Sequence, residues 1–554
     1  MLLARFAGHT SAIAVLSLAM FSACSQELQT RDGTWIGFAQ AGDWEVFLEL
    51  LIADEQDPSV KVVRMRPGKP GAETRMEISD SGIRFELELP VGMVRFDGHQ
   101  EGSAINGTLE LEERPGRFSL RRMIDFTPPD FDPYEGSYEL EDGRTVYVRR
   151  HDNVQQRPPF TVTGASYFLF DDSGRYRRLY PVAPDRFVAA EALSDSGPVL
   201  SELEFVREAD GDAGGLRWQL PGEPGISGTR GTVYGQEEVT IESESARLEG
   251  RLLLPAEPGP HAAVIMLHGL GAFSRNMAGP FLIADYLANR GMAVLIYDKR
   301  GVGGSSGGHP VNSRVSEYAG DAVLAVEYLA GRTEIDPGRI GLFGVSDGAR
   351  IAAVAGGQSE KIAFLVLVSG RGISFAETWP PDEVVDKLLS QLRARGFEEE
   401  ALQNAARLSE LDLTYSLQGE GWDELENAIA TYGDDPWFGM TMLGWVEADT
   451  RDHRYWSRYN PRAEDDPQLA LRTLRVPILA IWGELDPTFP PRAHKPGLEK
   501  LLVEAGHADY TLVEYSNAGH GLEDIPPGKP LRGRGLAEGY FGTVGEWLKK
   551  RLEQ

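Results

Sequence analysis

The sequence predicts an α/β protein: a mostly parallel sheet that carries a helical insertion, preceded by β-rich modules. Three observations lead there. From about Glu27 to Thr229 apolar residues recur with period two, interrupted at short spacing by turn residues. From Thr232 onward short apolar runs alternate with segments of helical spacing. Between Gly370 and Arg475 the strands stop while the helical spacing continues. Period two puts successive side chains on opposite faces, so the first region reads as half-buried antiparallel strands. Alternating strands and helices instead give a parallel sheet covered on both faces.

Taken in order, Trp44 to Leu50, Ile83 to Leu89 and Ser103 to Leu111 alternate apolar and polar residues. They define a β-rich module over 27–126 with the length of a small barrel. Pro128 and Pro129 then interrupt the chain, and Gly136 to Leu140 with Thr145 to Val148 begin a second β-rich module over 130–229. The stretch Gly211 to Gly231, rich in glycine and proline, reads as a linker. His99 and His151 lack partners at metal-ligand spacing and read as ordinary polar residues.

The third domain spans 232–554. Val239 to Ile241 and Leu248 to Leu254 look like a leading hairpin, followed by buried strands at Ala263 to Leu267 and Met292 to Tyr297. A helix containing Ala284 to Asn289 lies between them, and Val315, Tyr318, Ala322, Val326 and Leu329 mark another by spacings of three and four. The sheet continues through Ile340 to Phe343 and Ile362 to Val368, and resumes at Val476 to Trp482 and Tyr510 to Tyr515. A last helix is expected from about Gly535 to Leu552. The intervening 370–475 is too long for a mere loop and reads as a helical cap. Its Trp437, Phe438 and Trp445 are candidates to line a pocket, although packing of the cap on itself would account for any one of them.

A chain of 554 residues exceeds one hydrophobic core, which fits this division. Its 42% hydrophobic and 25% charged residues are those of a globular protein. With 55 basic against 84 acidic residues the formal charge is −29, which excludes nucleic acid as a partner because nothing here would neutralise a run of phosphates. Residues 1–23 combine Arg5, an apolar run from Ser11 to Phe21 and the small Ser22 and Ala23. That is an export signal, too short to span a membrane. The sole cysteine, Cys24, follows it, so the exported fold has no disulfide of its own. Phe21-Ser22-Ala23-Cys24 resembles a bacterial lipoprotein signal, although leucine is usual where Phe21 stands. The resemblance implies a lipid on Cys24, a cell-envelope location and, with Ser25 next, a periplasmic lipoprotein at the outer membrane. Plain cleavage and release is the alternative. The membrane is thus a partner only through that anchor.

The organising stretch is Arg339 to Gly357. An apolar strand runs into Gly344-Val345-Ser346-Asp347-Gly348, and a helix-forming run follows. Strand, sharp turn and helix make this GxSxG match a nucleophile elbow rather than an ordinary tight turn with an incidental serine. The glycines allow the close strand–helix crossing, and the helix start aims amides at the place where negative charge would develop.

From about Thr232 to Gln554 the chain resembles the α/β-hydrolase family, whose members use a serine, an acid and a histidine in that chain order. The resemblance implies Ser346 as nucleophile, because an alcohol needs an imidazole to take its proton and that imidazole needs a carboxylate. It implies Asp486, just past the strand that resumes the sheet, as the acid, with Glu484 as runner-up. Of ten histidines, His494, His507 and His520 follow the acid. His520, between Gly519 and Gly521 after the last strand, is the expected base. The oxyanion would be held by the amides of Asp347 and of Leu270 in His268-Gly269-Leu270-Gly271, with Gly271 second to Leu270. His268 precedes the serine and is expected to brace that loop. Tyr297 to Ser305 looks like a phosphate loop but lacks the terminal GK[ST], so Asp298 is expected to be structural.

The expected function is a serine hydrolase acting on a small-molecule carboxylic ester, with no metal and no cofactor required. A peptidase similar to the prolyl oligopeptidases would share the catalytic domain. Its seven-bladed propeller, at about 40–45 residues per blade, exceeds the roughly 200 residues in front. A non-catalytic envelope binding protein on a hydrolase scaffold is the alternative of another class.

Overall fold

The computed structural model describes residues 32–552 apart from 54–57, 67–72, 80–81, 90, 156–161, 192–200, 221, 232–233, 278–281, 309–312, 374–376, 378–380, 442, 444–465 and 526–534. The export segment 1–23, Cys24, Ser25 and Trp445 lie outside the described residues. Among the described residues no helix is long and apolar enough to cross a membrane.

Strands β1 (Gly33–Ala41) to β8 (Arg114–Arg122) close into an antiparallel barrel. The closing pair sets Trp35 opposite Arg122 and Gln40 opposite Arg117. The alternation seen in the sequence is the barrel's inside and outside. In Gly82–Leu89, Ile83, Phe85, Leu87 and Leu89 are buried while Arg84, Glu86 and Glu88 face water. Phe85 stacks on Phe96 at 4.6 Å, and Phe118 meets Phe96 edge-on at 5.1 Å. The barrel is therefore filled by side chains.

A second barrel comprises β9 (Gly136–Leu140), β10 (Thr145–Val154), β11 (Val162–Asp171), β12 (Tyr176–Ala183), β13 (Arg186–Glu191), β14 (Ser201–Arg207), β15 (Ala213–Gln219) and β16 (Ile226–Arg230). The expected linker Gly211 to Gly231 is thus largely strand. Its glycines mask an alternation in which Ala213, Leu216 and Trp218 are buried, and Trp218 donates its indole N–H to Ser201 Oγ at 2.9 Å.

The described chain divides into two compact units, one within Met1–Phe126 and Arg178–Ser227, the other within Thr127–Arg177 and Gly228–Gln554. In the first, Ile36 and Phe47 pack with Tyr180, Val188 and Ala190. The second joins β9 to β11 to an eight-stranded sheet of order β17-β18-β20-β19-β21-β22-β23-β24. These are β17 (Tyr234–Glu242), β18 (Arg247–Pro255), β19 (His261–Leu267), β20 (Ala293–Tyr297), β21 (Ile335–Val345), β22 (Ile362–Val368), β23 (Ile478–Gly483) and β24 (Tyr510–Tyr515). The β17–β18 hairpin is antiparallel, and β19 to β24 pair in parallel. Every residue of β20 and β23 is buried, as expected of strands covered on both faces.

The covering helices include α1 (Ile283–Ala288), α2 (Val315–Ala330) and α3 (Asp347–Gly356). Between β22 and β23 come α4 (Pro381–Ala394), α5 (Glu399–Gln418) and α6 (Trp422–Tyr432), whose apolar faces form their own core. Trp437 and Phe438 are 3% exposed within that core. As candidates for a pocket wall they are corrected: self-packing of the insertion takes them. Next come α7 (Pro467–Thr473), α8 (Pro491–Glu504) and α9 (Tyr540–Leu552). The last helix starts five residues later than expected, because Gly535 and Leu536 bridge to Arg175 and Glu523.

Candidate active site

β21 is buried from Ile340 to Val345 and delivers the chain to Ser346, whose φ of +58° and ψ of −117° are strained for a residue with a side chain. The strain is held from both sides. Ser346 N donates to Val368 O at 2.8 Å, and Ala349 N donates to Ser346 O at 3.0 Å. A Cβ at Gly344 would stand 2.1 Å from Gly348 O, and one at Gly348 would stand 2.2 Å from Leu267 O. Only bare backbone fits the crossing.

The parallel order brings the ends of β21, β23 and β24 to one edge, so loops far apart in sequence meet. His520 Nε2 lies 2.9 Å from Ser346 Oγ, and His520 Nδ1 lies 2.8 Å from Asp486 Oδ2. An ionised carboxylate has no proton to give, so Nδ1 donates to Asp486 and Nε2 accepts from the serine hydroxyl. The other oxygen, Asp486 Oδ1, accepts from Thr488 N at 2.7 Å and Phe489 N at 2.9 Å. Asp486 is fully buried at its side chain, whereas the His520 side chain is 28% exposed. The Phe489 ring backs the imidazole at 5.5 Å. This arrangement can remove a proton from Ser346 and stabilise the imidazolium that results.

The acid turn and the histidine loop are zipped together. Glu484 N donates to Tyr515 O at 2.9 Å, and Leu485 N donates to Ala518 O at 2.8 Å. Glu484, the runner-up acid, uses Oε2 to accept from Asn517 N at 3.1 Å. The rival histidines face elsewhere. His494 Nδ1 accepts from Gly372 N at 3.0 Å, and burial lowers its pKa to about 4. His507 Nε2 donates to Val476 O at 3.0 Å, and burial lowers its pKa as well.

Asp347 opens α3 directly after the serine, and Leu270 sits half-exposed in the loop after β19. That loop passes close to the serine, since a methyl at Gly269 would stand 3.5 Å from Ser346 Cβ and 4.0 Å from its Oγ. His268 is buried beneath the loop and donates from Nε2 to Tyr297 O at 2.6 Å. Burial drives its pKa down to about 3, so it is a neutral brace. Lys299 Nζ donates to Gly269 O at 2.8 Å and lies 4.4 Å from the Tyr318 ring centre. Asp298 accepts from Arg275 N and Arg275 Nη1, each at 2.6 Å, and from Gly304 N at 2.8 Å. Burial raises its pKa against the opposing charge of Arg275. The glycine-rich stretch therefore holds loops together.

A family model described as the alpha/beta hydrolase fold matches residues 262–522. Acyltransferase drtE of Aspergillus calidoustus is 30% identical over 260 residues, which cover 46% of this chain and 79% of that protein. The chain belongs to the α/β-hydrolase family. An uncharacterized protein of Mycobacterium tuberculosis is 36% identical over 120 residues, 21% of this chain and 40% of its own length. The chain thus spans about two fifths of that relative. Among solved structures, ferulic acid-bound Est1E from Butyrivibrio proteoclasticus is 17% identical over 57% of this chain and 98% of its own, with a TM-score of 0.36.

In this α/β-hydrolase the sequence reasoning missed Lys299, Thr488 and Phe489. The last two had a signal, because an Asp two or three residues ahead of free amides forms an Asx turn. Lys299 had none, since its partner Gly269 lies on another strand's loop.

Proposed function

We propose that this α/β-hydrolase cleaves carboxylic esters of small or medium size through an acyl-enzyme on Ser346. The observation that carries the proposal is the unbroken relay from Ser346 Oγ through His520 to Asp486, at 2.9 and 2.8 Å. His520 takes the serine proton as Oγ attacks the ester carbonyl, and the carbonyl oxygen becomes an anion. The amides of Leu270 and Asp347 receive that anion, and α3 adds the positive end of its dipole. His520 then gives its proton to the departing alkoxide. In the second half His520 deprotonates water, which displaces the acyl group and restores Ser346. No metal or cofactor enters these steps. The helical insertion after β22, the strand beside β21, supports a confined substrate over an open groove.

The test is fluorophosphonate labelling of the full chain followed by an ester series of graded acyl length. Labelling of Ser346 with hydrolysis of short esters is the expected result. Faster cleavage of peptide amides than of matched esters would replace the proposal by a peptidase, and an unlabelled serine would leave a binding protein. The 30% identity to an acyltransferase over 79% of its length favours a second reading, acyl transfer. An alcohol acceptor that captures most of the acyl group at the expense of hydrolysis would establish it. Export with a lipid on Cys24 is part of the same proposal, supported by the signal-like segment 1–23.

A further inference from the structure

The loop that carries Leu270 is gripped from two directions. From the sheet side, Tyr297 O and Lys299 Nζ hold His268 and Gly269, and Lys299 N donates to Phe273 O at 3.1 Å. From the other side comes β10, a strand of the second barrel that belongs to the same compact unit. Asp152 Oδ2 accepts from Asn276 Nδ2 at 2.8 Å and from Ser274 Oγ at 3.2 Å. Asp152 N donates to Asn276 O at 3.0 Å, so the same residue fixes both side chain and backbone of the loop's far end. Ser274 Oγ in turn accepts from Asn276 N at 3.2 Å. Two residues further along β10, Val154 packs against Ala272 and Val302. The side chain of Asp152 is 9% exposed, and its Oδ1 lies 3.2 Å from Arg150 Nε, an ion pair that helps hold the carboxylate in place.

Between these two grips lie Leu270 and Gly271. Gly271 has φ +113°, a conformation open to glycine and strained for other residues, so the loop can turn there without a side chain to lock it. A flexible turn with an amide that must point at a developing anion needs fixed ends. The histidine loop meets the same group of strands. Leu536 N donates to Gly174 O at 2.8 Å, and Leu536 bridges to Glu523, three residues past His520.

We infer that Asp152, on β10, is a positioning residue for the oxyanion loop, so that this strand is a working part of the active site. The inference rests on the proposed acyl-enzyme reading. Asp152 touches no reacting atom. It acts through Asn276 and Ser274 on where the Leu270 amide points.

The test uses full-length protein and two readouts of the oxyanion site. These are the rate of Ser346 labelling by a fluorophosphonate, whose phosphoryl oxygen develops charge on attack, and inhibition by phenylboronic acid, which forms a tetrahedral anion on the serine. A misplacement of about 1 Å costs on the order of 100-fold. Asp152→Ala is therefore expected to lower kcat and labelling by about tenfold to a hundredfold, with KM within about twofold and phenylboronic acid binding weakened in parallel. The shape of the pH–rate profile should stay as in wild type, because the hydrogen bonds of His520 to Ser346 and Asp486 are untouched. Asp152→Asn, whose carbonyl oxygen can still accept from Asn276, should recover most of the loss. If Asp152→Ala does not fold, Asn276→Ala removes the same bond from the other side and should show the same pattern. Labelling and kcat within twofold of wild type in a folded variant, or a loss confined to KM and Tm, overturns the inference alone. A wild-type Ser346 that does not label overturns the acyl-enzyme reading and the inference with it.

Discussion

Ser346, His520 and Asp486 form one chain of hydrogen bonds, so removing any link should cost most of the rate. Ser346→Ala and His520→Ala should each lower activity on the order of 10⁴-fold or more, and Asp486→Asn should be severely impaired while folded. His507→Ala should keep near-normal turnover, since His507 bonds Val476 O away from the serine. If it proved as damaging as His520→Ala with the fold intact, the assignment would fail. His268 and His494 shape stability instead. Burial lowers them to about 3 and about 4. Folded chains keep both neutral, whereas unfolded chains protonate them near pH 6.5. Their contribution is thus complete above about pH 6.5 and lost as pH falls toward those values, by up to about 1.4 kcal/mol per pH unit each. Urea unfolding at pH 7 and pH 5 should show a smaller difference in His268→Gln and His494→Asn than in wild type. Equal differences would contradict the buried-neutral state.

At the scale of elements, the site depends on backbone approaches that tolerate no side chain. A Cβ at Gly483 would stand 2.3 Å from both Ala518 O and Gly519 O, so the end of β23 and the histidine loop would have to part. Gly483→Ala should leave a folded protein with kcat down about a hundredfold, read by steady-state kinetics beside circular dichroism. Gly320 supplies the contrast. It lies within α2 with nothing within 4 Å of an added Cβ. Gly320→Ala should therefore raise stability by up to about 1 kcal/mol without touching kcat. A Gly483→Ala enzyme of normal kcat would show that the approach of the two loops is not limiting.

Within the larger unit, β10 and the sheet share a buried charge. Asp285 Oδ1, on α1, accepts from Arg149 Nε at 2.6 Å and from the Tyr234 hydroxyl at 2.5 Å. Arg149→Met would strand Asp285, at a cost of about 3–5 kcal/mol. Adding Asp285→Asn should return a large part of that loss, a coupling that a double-mutant cycle in urea would read directly. Additive losses would mean that the pair does not act as one. Further out, the proposed anchor predicts that Cys24→Ala moves the protein from the membrane to a soluble fraction. Unchanged membrane association would remove the lipid.

Some of this was legible because it is local. Period two in Gly82–Leu89 reports one wet and one dry face, and the apolar strand before Gly344-Val345-Ser346-Asp347-Gly348 with a helix after it announces a strained turn. Chain order narrowed the histidine to three, and the glycines beside His520 favoured one. Other features were hidden by composition: the glycines of 211–231 concealed β15 and β16, and the bridges of Gly535 and Leu536 shortened the last helix. The sequence alone determined the succession of β modules and sheet, the elbow, and the residue types able to serve it, because these follow from spacing along the chain. The tertiary structure decided that Trp437 and Phe438 close the insertion's own core, that Lys299 holds Gly269, and that Asp152 reaches Asn276 across 124 positions. Such contacts come from strand order and barrel closure, which bring together residues that no local periodicity relates.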